Sequence, residues 1–368
     1  MADVLRVEES EAQEVFFDRG WTDGLPVIPP TPERVEAMLA EADLDADDHL
    51  GEIAQRGVTV CAQQAAICAV MAGCRPAYFP VVIAAVEALL DPAFNAHSVL
   101  TSTGGAATCV IVSGPFAEAI GMNAGHGALG PGNRANATIG RTLRLLAITA
   151  LDARPGLMDA SSLGHPGKLT LCFAEDPPPA PWESLREALG FEHGDTTVTL
   201  MATEGPRQIG NHLNGDGRGV LASYAAMLRS PATFMVGKGG QAIFVVGPEH
   251  MIALAEAGIT RAQAASAIAT ESRISPAELE RAGIVIEHGA QHDMTPGEDG
   301  LLPAVTGPED VLLVTAGGGG AGWSALLPSF APKIHSRFVS RRVRPPGEAL
   351  PDCGEDGCEI NLPPIGED

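Results

Sequence analysis

Residues 130–141, Gly-Pro-Gly-Asn-Arg-Ala-Asn-Ala-Thr-Ile-Gly-Arg, bring a glycine turn, amide side chains and two arginines into one short string. Gly130-Pro131-Gly132 turns the chain and Asn133 is a good N-cap, so a helix is expected from there to about Leu151. A helix N-terminus carries free backbone N–H groups, and with an arginine beside them it makes an anion site. Asn133, Arg134 and Asn136 would hold a carboxylate or phosphate. Thr138 and Arg141 extend the face that Arg134 begins, at i+4 and i+7. The plainer reading of the same string is a capped helix with solvated arginines.

Groups able to move protons or attack carbon lie elsewhere in the sequence. Gly164-His165-Pro166-Gly167-Lys168 sets a histidine and a lysine on a Gly/Pro turn just before an expected strand. Together they could supply a general acid/base and a charge clamp. His126, between Gly125 and Gly127, occupies the loop leading into the anion string and is the preferred acid/base there. Cys74 follows an expected helix end at Gly73 and precedes Arg75 and Pro76. A thiol beside a cation can be nucleophilic, although a small buried hydrophobe fits the position equally well. Cys61 and Cys68 in an Ala/Val/Ile-rich helix, and Cys109 and Cys172 in strands, read as core.

Weaker patterns carry less. Residues 317–322 match G-x-G-x-x-G, but the unit closes the chain rather than opening a dinucleotide fold, so a tight glycine turn is the better reading. His288 and His292 are spaced i, i+4 in a segment that reads as a loop, and Cys353 and Cys358 lack a second pair. No cofactor and no metal are therefore assigned.

These residues need a scaffold, and composition limits it. The chain has 368 residues, 45% hydrophobic, 19% charged and only 4% aromatic, with 43 Gly and 29 Pro. That describes a globular protein with many tight turns and an aliphatic core. A net charge of −23 disfavours nucleic acid and anionic lipid as partners and makes any local cationic site conspicuous. The acidic N-terminus has no signal-peptide pattern, no apolar run reaches membrane-spanning length, and seven scattered cysteines do not form a disulfide framework. A reduced, cytoplasmic protein is expected, with homo-oligomerisation left open.

The pattern predicts helices from Thr31, over 62–73, 78–90, 182–189, 219–228, 249–257 and 261–270. Strands are expected over 108–113, 168–174, 196–202, 242–246, 284–287, 311–315 and 336–343. The fold class is α/β, with mixed sheets, flanking helices and two related lobes, residues 1–175 and 176–343, before a Pro-rich acidic tail, 344–368. The glycine-flanked strand ending in Gly114-Pro115 resembles the one ending in Gly247-Pro248. Residues 130–141 likewise resemble 215–219, but the two similarities occur in swapped order.

Four strings carry a resemblance to a known group: Gly20-Trp21-Thr22-Asp23-Gly24-Leu25-Pro26-Val27, Val70-Met71-Ala72-Gly73-Cys74-Arg75-Pro76, residues 130–141, and Gly164-His165-Pro166-Gly167-Lys168. The chain resembles bacterial proteins that accompany short UGSC-type thiol or selenocysteine proteins. The likeness lies mainly in the first half; later it is carried only by Gly317-Gly318 and Ser324. The chain lacks the U/C-Gly-Ser-Cys motif itself, so the resemblance implies a separate thiol or selenol partner, or chemistry resting on Cys74. The expected function is an enzyme acting on a small anionic organic molecule by lyase-like or thiol-assisted cleavage, with Cys74, His126, His165 and Lys168 as catalytic groups. The alternatives are a non-catalytic substrate-binding subunit of a redox system and a metal-dependent hydratase or hydrolase using His288 and His292.

Overall fold

The longest β-branched runs become the central strands. In the computed structural model, which describes residues 6–8, 10–212, 216–230, 238–283 and 295–344, Ala107–Ser113 pairs antiparallel with Thr197–Thr203, from Ala107 opposite Thr203 to Ser113 opposite Thr197. Cys172–Ala174 adds a parallel strand on one side and Val339–Arg342 an antiparallel one on the other. The second sheet repeats this plan. Ala242–Val246 pairs parallel with Val311–Thr315 and antiparallel with Trp323–Pro328, which in turn pairs with Arg207–Gly210. The α/β class with mixed sheets and flanking helices is thus what the chain adopts.

The two sheets exchange their last strands. Each half runs strand, helices, parallel strand, antiparallel strand, and the next strand then crosses to the other half's sheet. At the crossing Thr203 bridges Ser329, flanked by Glu204 N–H to the Pro328 carbonyl (2.9 Å) and Phe330 N–H to the Ala202 carbonyl (2.8 Å). The resemblance between the strands ending at Gly114-Pro115 and Gly247-Pro248 is therefore positional, since both lie beside the parallel strand of their sheet. The second resemblance is corrected. The helix in Arg134–Thr149's place is Arg261–Glu271, which also joins its half's parallel strands, whereas Gly217–Leu228 precedes them. Nor do the sheets divide the chain at residue 175, because Thr197–Thr203 and Val339–Arg342 both belong to the first sheet.

Arg134–Thr149 begins where its cap predicts, the Asn133 side chain accepting from Asn136 N–H. Ile139, Leu143, Leu146 and Ala147 form its buried stripe, against Ala62–Ala72. Gly140 lets this helix lie on the sheet, since a Cβ there would sit 2.4 Å from Thr170 Oγ1 and 3.0 Å from Cys172 Cβ. Phe79–Leu90 is apolar on nearly every face and packs on Thr197–Thr203.

Other expectations shift for local reasons. Cys61 ends the strand Val58–Cys61 and caps the following helix instead of lying within it. The strand expected over 168–174 shortens to Cys172–Ala174 because Pro166–Lys168 forms a 3₁₀ turn. The helix over 182–189 shortens to Leu185–Ala188, capped by Ser184. Trp323–Pro328 and Arg207–Gly210 are additional strands. Residues 284–287, His288, His292, Cys353, Cys358 and the tail beyond 344 lie outside the described residues. Among the described residues no single helix is long and apolar enough to cross a membrane.

Candidate functional site

Under the Gly164–Lys168 turn, two basic side chains meet one acid. Lys168 Nζ donates to Asp159 Oδ1 at 2.9 Å and to Ser161 Oγ at 2.5 Å. Arg144, one turn beyond Gly140 on the Arg134–Thr149 helix, donates to Asp159 Oδ2 at 3.0 Å. Among the described residues Arg144 has no other acceptor. The side chains of Arg144, Lys168 and Asp159 are only 11%, 14% and 5% exposed, so water screens the group poorly. Burial works to raise the Asp159 carboxyl, but hydrogen bonds from Lys168 and Ser161 and the Lys168 charge outweigh it and hold its pKa below the ordinary value. An ionised Asp159 opposite two cations leaves one positive charge in excess.

Arg144 and Lys168 also line a cavity of about 30 Å³. Thr108 and Thr170 add hydroxyl-bearing side chains to its wall, and Leu89, Leu100, Leu143 and Ala147 form the apolar remainder. Roughly 10–15 Å³ is the least that holds a water, so this cavity admits small polar groups from solvent.

His165 lies on the same turn, packed on Gly167 and Gly205. Its Nδ1 accepts from Gly167 N–H at 3.2 Å, which places the proton on Nε2. That Nε2 is buried, close to the Thr203 and Gly105 backbone but without a well-aligned hydrogen bond among the described residues. Burial, reinforced by the Lys168 charge, lowers the His165 pKa below the ordinary imidazole value. Backbone interactions with Thr203 and Gly105 oppose this without reversing it, so near neutral pH the ring is uncharged.

The remaining candidates divide among other surroundings. Arg141 is committed to Asp23 through Nε (2.7 Å) and NH2 (2.8 Å), and to the Pro26 carbonyl at 2.9 Å. It clamps the Trp21–Pro26 stretch instead of facing an open site. Asn136 is buried and fully used: its Oδ1 accepts from Asn123 N–H, and its Nδ2 donates to the carbonyls of Asn123 and Ala128. Asn133 caps the helix and also donates to the Gly121 carbonyl. Arg134 is exposed, with Nε on the Gly73 carbonyl at 2.9 Å, and Thr138 bonds back to the Arg134 carbonyl. The string thus ties the helix start to the residue 121–132 loop and to the end of Ala62–Ala72.

Cys74 differs from its expected reactivity. It is 6% exposed, with Sγ 3.4 Å from Thr142 Oγ1. Burial pushes its pKa up, against smaller opposing effects of Thr138, Thr142 and the Arg134 charge, so the neutral thiol is favoured. His126 is exposed and lies against the other half, where a Cβ on Gly318 would fall 1.9 Å from its Nδ1. Ala124 fixes this junction by accepting from Gly317 N–H at 2.7 Å. His165 and Lys168 are the two candidates brought together; Cys74 and His126 have separate partners.

Beyond the glycine junction, Ser324 meets His250 in a network the sequence did not announce. His250 Nε2 donates to the Asn211 carbonyl at 3.3 Å, leaving Nδ1 to accept from the Ser324 hydroxyl at 2.7 Å. Tyr224 OH (2.6 Å) and Gly247 N–H (3.0 Å) then donate to Ser324 Oγ. Both lone pairs of that oxygen are occupied, so Ser324 is a structural hydroxyl and not a free nucleophile. Arg144, Asp159 and Ser161 were the site residues missed by pattern. The one available signal was Arg144 at i+3 from Arg141 in a chain poor in cations. Comparison of the sequence with protein-family models returns no match, and comparison with curated proteins returns none either.

Proposed function

We propose that this chain is an enzyme that holds a small organic anion at Arg144 and Lys168 and cleaves it in a lyase-type reaction, with the uncharged His165 ring as the proton acceptor. The observation carrying this reading is that two largely buried cations share a single carboxylate beside a cavity, in a chain of net charge −23. His165 lies three residues before Lys168 on the same turn, packed on Gly167 of the cavity wall, and is a neutral ring able to take up a proton. The thiol-assisted route is disfavoured because Cys74 is buried as a thiol. A separate thiol or selenol protein would be needed for such chemistry.

A second reading, a binding subunit without catalysis, draws on the same cavity and on the absence of a free nucleophile in the Ser324 network. One experiment separates them. Turnover of small carboxylates would be followed with wild type, Lys168→Ala and His165→Ala, alongside acetate binding by isothermal titration. The enzyme reading expects Lys168→Ala to lose both binding and turnover, and His165→Ala to lose turnover alone. Anion binding with no turnover by wild type would favour the binding subunit, and anion binding unchanged in Lys168→Ala would end both readings.

A further inference from the structure

We propose that the acidic end of this chain, residues 345–368, docks on the exposed surface formed by Leu25, Ile28, Arg75 and Arg134. Three stretches far apart in sequence build that surface. Ile28 N–H donates to the Met71 carbonyl at 3.1 Å, and Arg134 Nε donates to the Gly73 carbonyl at 2.9 Å. A Cβ on Gly73 would lie 4.0 Å from Ile28 Cγ1 and 3.6 Å from Thr138 Cγ2, so the three stretches meet around this one glycine. Arg141, one turn beyond Thr138 on the same helix, holds the Leu25 and Pro26 carbonyls. Leu25 and Ile28 are 45% and 46% exposed. Arg75 is exposed, and among the described residues its side chain makes no hydrogen bond or ion pair. Arg134 is exposed and commits only its Nε. The acids nearest to Leu25 and Ile28 in sequence are taken: Asp23 by Arg141, and Glu33 by Thr31 and its own helix start.

The occupant follows from charge and reach. Residues 345–368 carry seven carboxylate side chains and no lysine or arginine, interspersed with Leu350, Ile360, Leu362 and Ile365. Two apolar side chains beside two uncompensated arginines are the complement of that composition. A chain of net charge −23 repels this segment over most of its surface, so a local cationic patch stands out as its destination. Arg344, the last described residue, pairs with Glu87 and lines a recess with Leu44, Pro80 and Ile83. Pro80 is five residues from Arg75 in sequence, hence at most about 18 Å away, whereas the 24 residues beyond Arg344 can span up to roughly 80 Å. A tethered segment binds at high effective concentration, so two ion pairs and a few apolar contacts suffice to hold it.

Cys353 and Cys358 lie in that segment and serve as probes. In the full chain, Leu25→Cys would be oxidised with diamide, and its disulfide to Cys353 or Cys358 followed by non-reducing electrophoresis and peptide mass spectrometry. Ile28→Cys is an independent reporter of the same surface. Crosslinking within one chain is expected. Adding Arg75→Glu and Arg134→Gln should slow it at least about fivefold, with far-UV circular dichroism confirming the fold. Raising the salt to about 1 M should slow it in the parent as well. A rate unchanged by charge removal or by salt would overturn the proposal, because a free tether reaches Leu25 without attraction. Disulfides formed only between chains would overturn it in favour of a second copy as the occupant. No crosslink at either position, with the introduced and tail thiols reactive toward maleimide, would overturn it outright.

Discussion

The two halves place corresponding 3₁₀ turns before corresponding parallel strands, and the turns have opposite charge. Pro166–Lys168 ends on a lysine that reaches Asp159, while Pro308–Asp310 ends on an aspartate that receives Lys333 at 2.8 Å. In the second half the account closes. Asp310, 1% exposed, also accepts from Gln241 Nε2 at 3.2 Å and from Thr306 Oγ1. In the first half it does not close, because Arg144 is a second cation on one acid and a cavity lies alongside. An ion pair under a turn is thus ordinary architecture in this fold. The surplus cation and the adjacent space are what mark the first turn as a site.

That contrast can be broken by mutation. Asp310→Ala leaves buried Gln241 and the Lys333 charge without their acceptor and is expected to cost about 3 kcal/mol in urea unfolding, with acetate binding unchanged. Loss of binding in that variant would erase the distinction between the turns. Gly140→Ala forces the Arg144 helix away from Thr170 and Cys172. It should cost about 1–3 kcal/mol and weaken acetate binding several-fold, because it moves the cation and the cavity wall together. Lys168→Ala is expected to cost about 1–3 kcal/mol, less than Asp310→Ala because the buried Asp159 keeps Arg144 and Ser161, yet to abolish measurable acetate binding. A large stability loss there would make the first turn structural like the second.

The smallest effect lies in acid. Asp159 has a folded-state pKa below its ordinary value of 3.8, so the stability it contributes is present above that value. It is lost as pH falls through the depressed folded-state value. Asp159→Asn should therefore flatten the decline of stability below about pH 4 in urea titrations. An unchanged acid limb would mean that the Lys168–Asp159 contact contributes little in solution.

Much of this architecture was legible from local pattern. Asn133 and the stripe from Ile139 to Ala147 fixed one helix, and Ala242–Val246 and Val311–Thr315 emerged with their bounds intact because both are unbroken buried runs. Arg207–Gly210 was missed because a short polar run has no period to detect, and its strand character comes from the partner Trp323–Pro328. The site was half legible. A histidine and lysine on a Gly/Pro turn stand out, but Arg144 and Asp159 meet only when a helix and a distant loop pack together. Arg141 shows the converse, a side chain well placed by helical spacing whose charge is taken by Asp23, 118 residues away in sequence.

The strand exchange has a consequence for how the chain is made. The first sheet lacks an edge until residues 339–342 arrive, and those residues leave the ribosome long after Ala107–Ser113. Until then Thr197–Thr203 presents an unpaired edge to the cell. Contacts of such long sequence separation slow folding, and they bind the halves into one cooperative unit. A proteolytic cut between the halves should yield two fragments that remain entwined and co-migrate, and neither should fold when expressed alone.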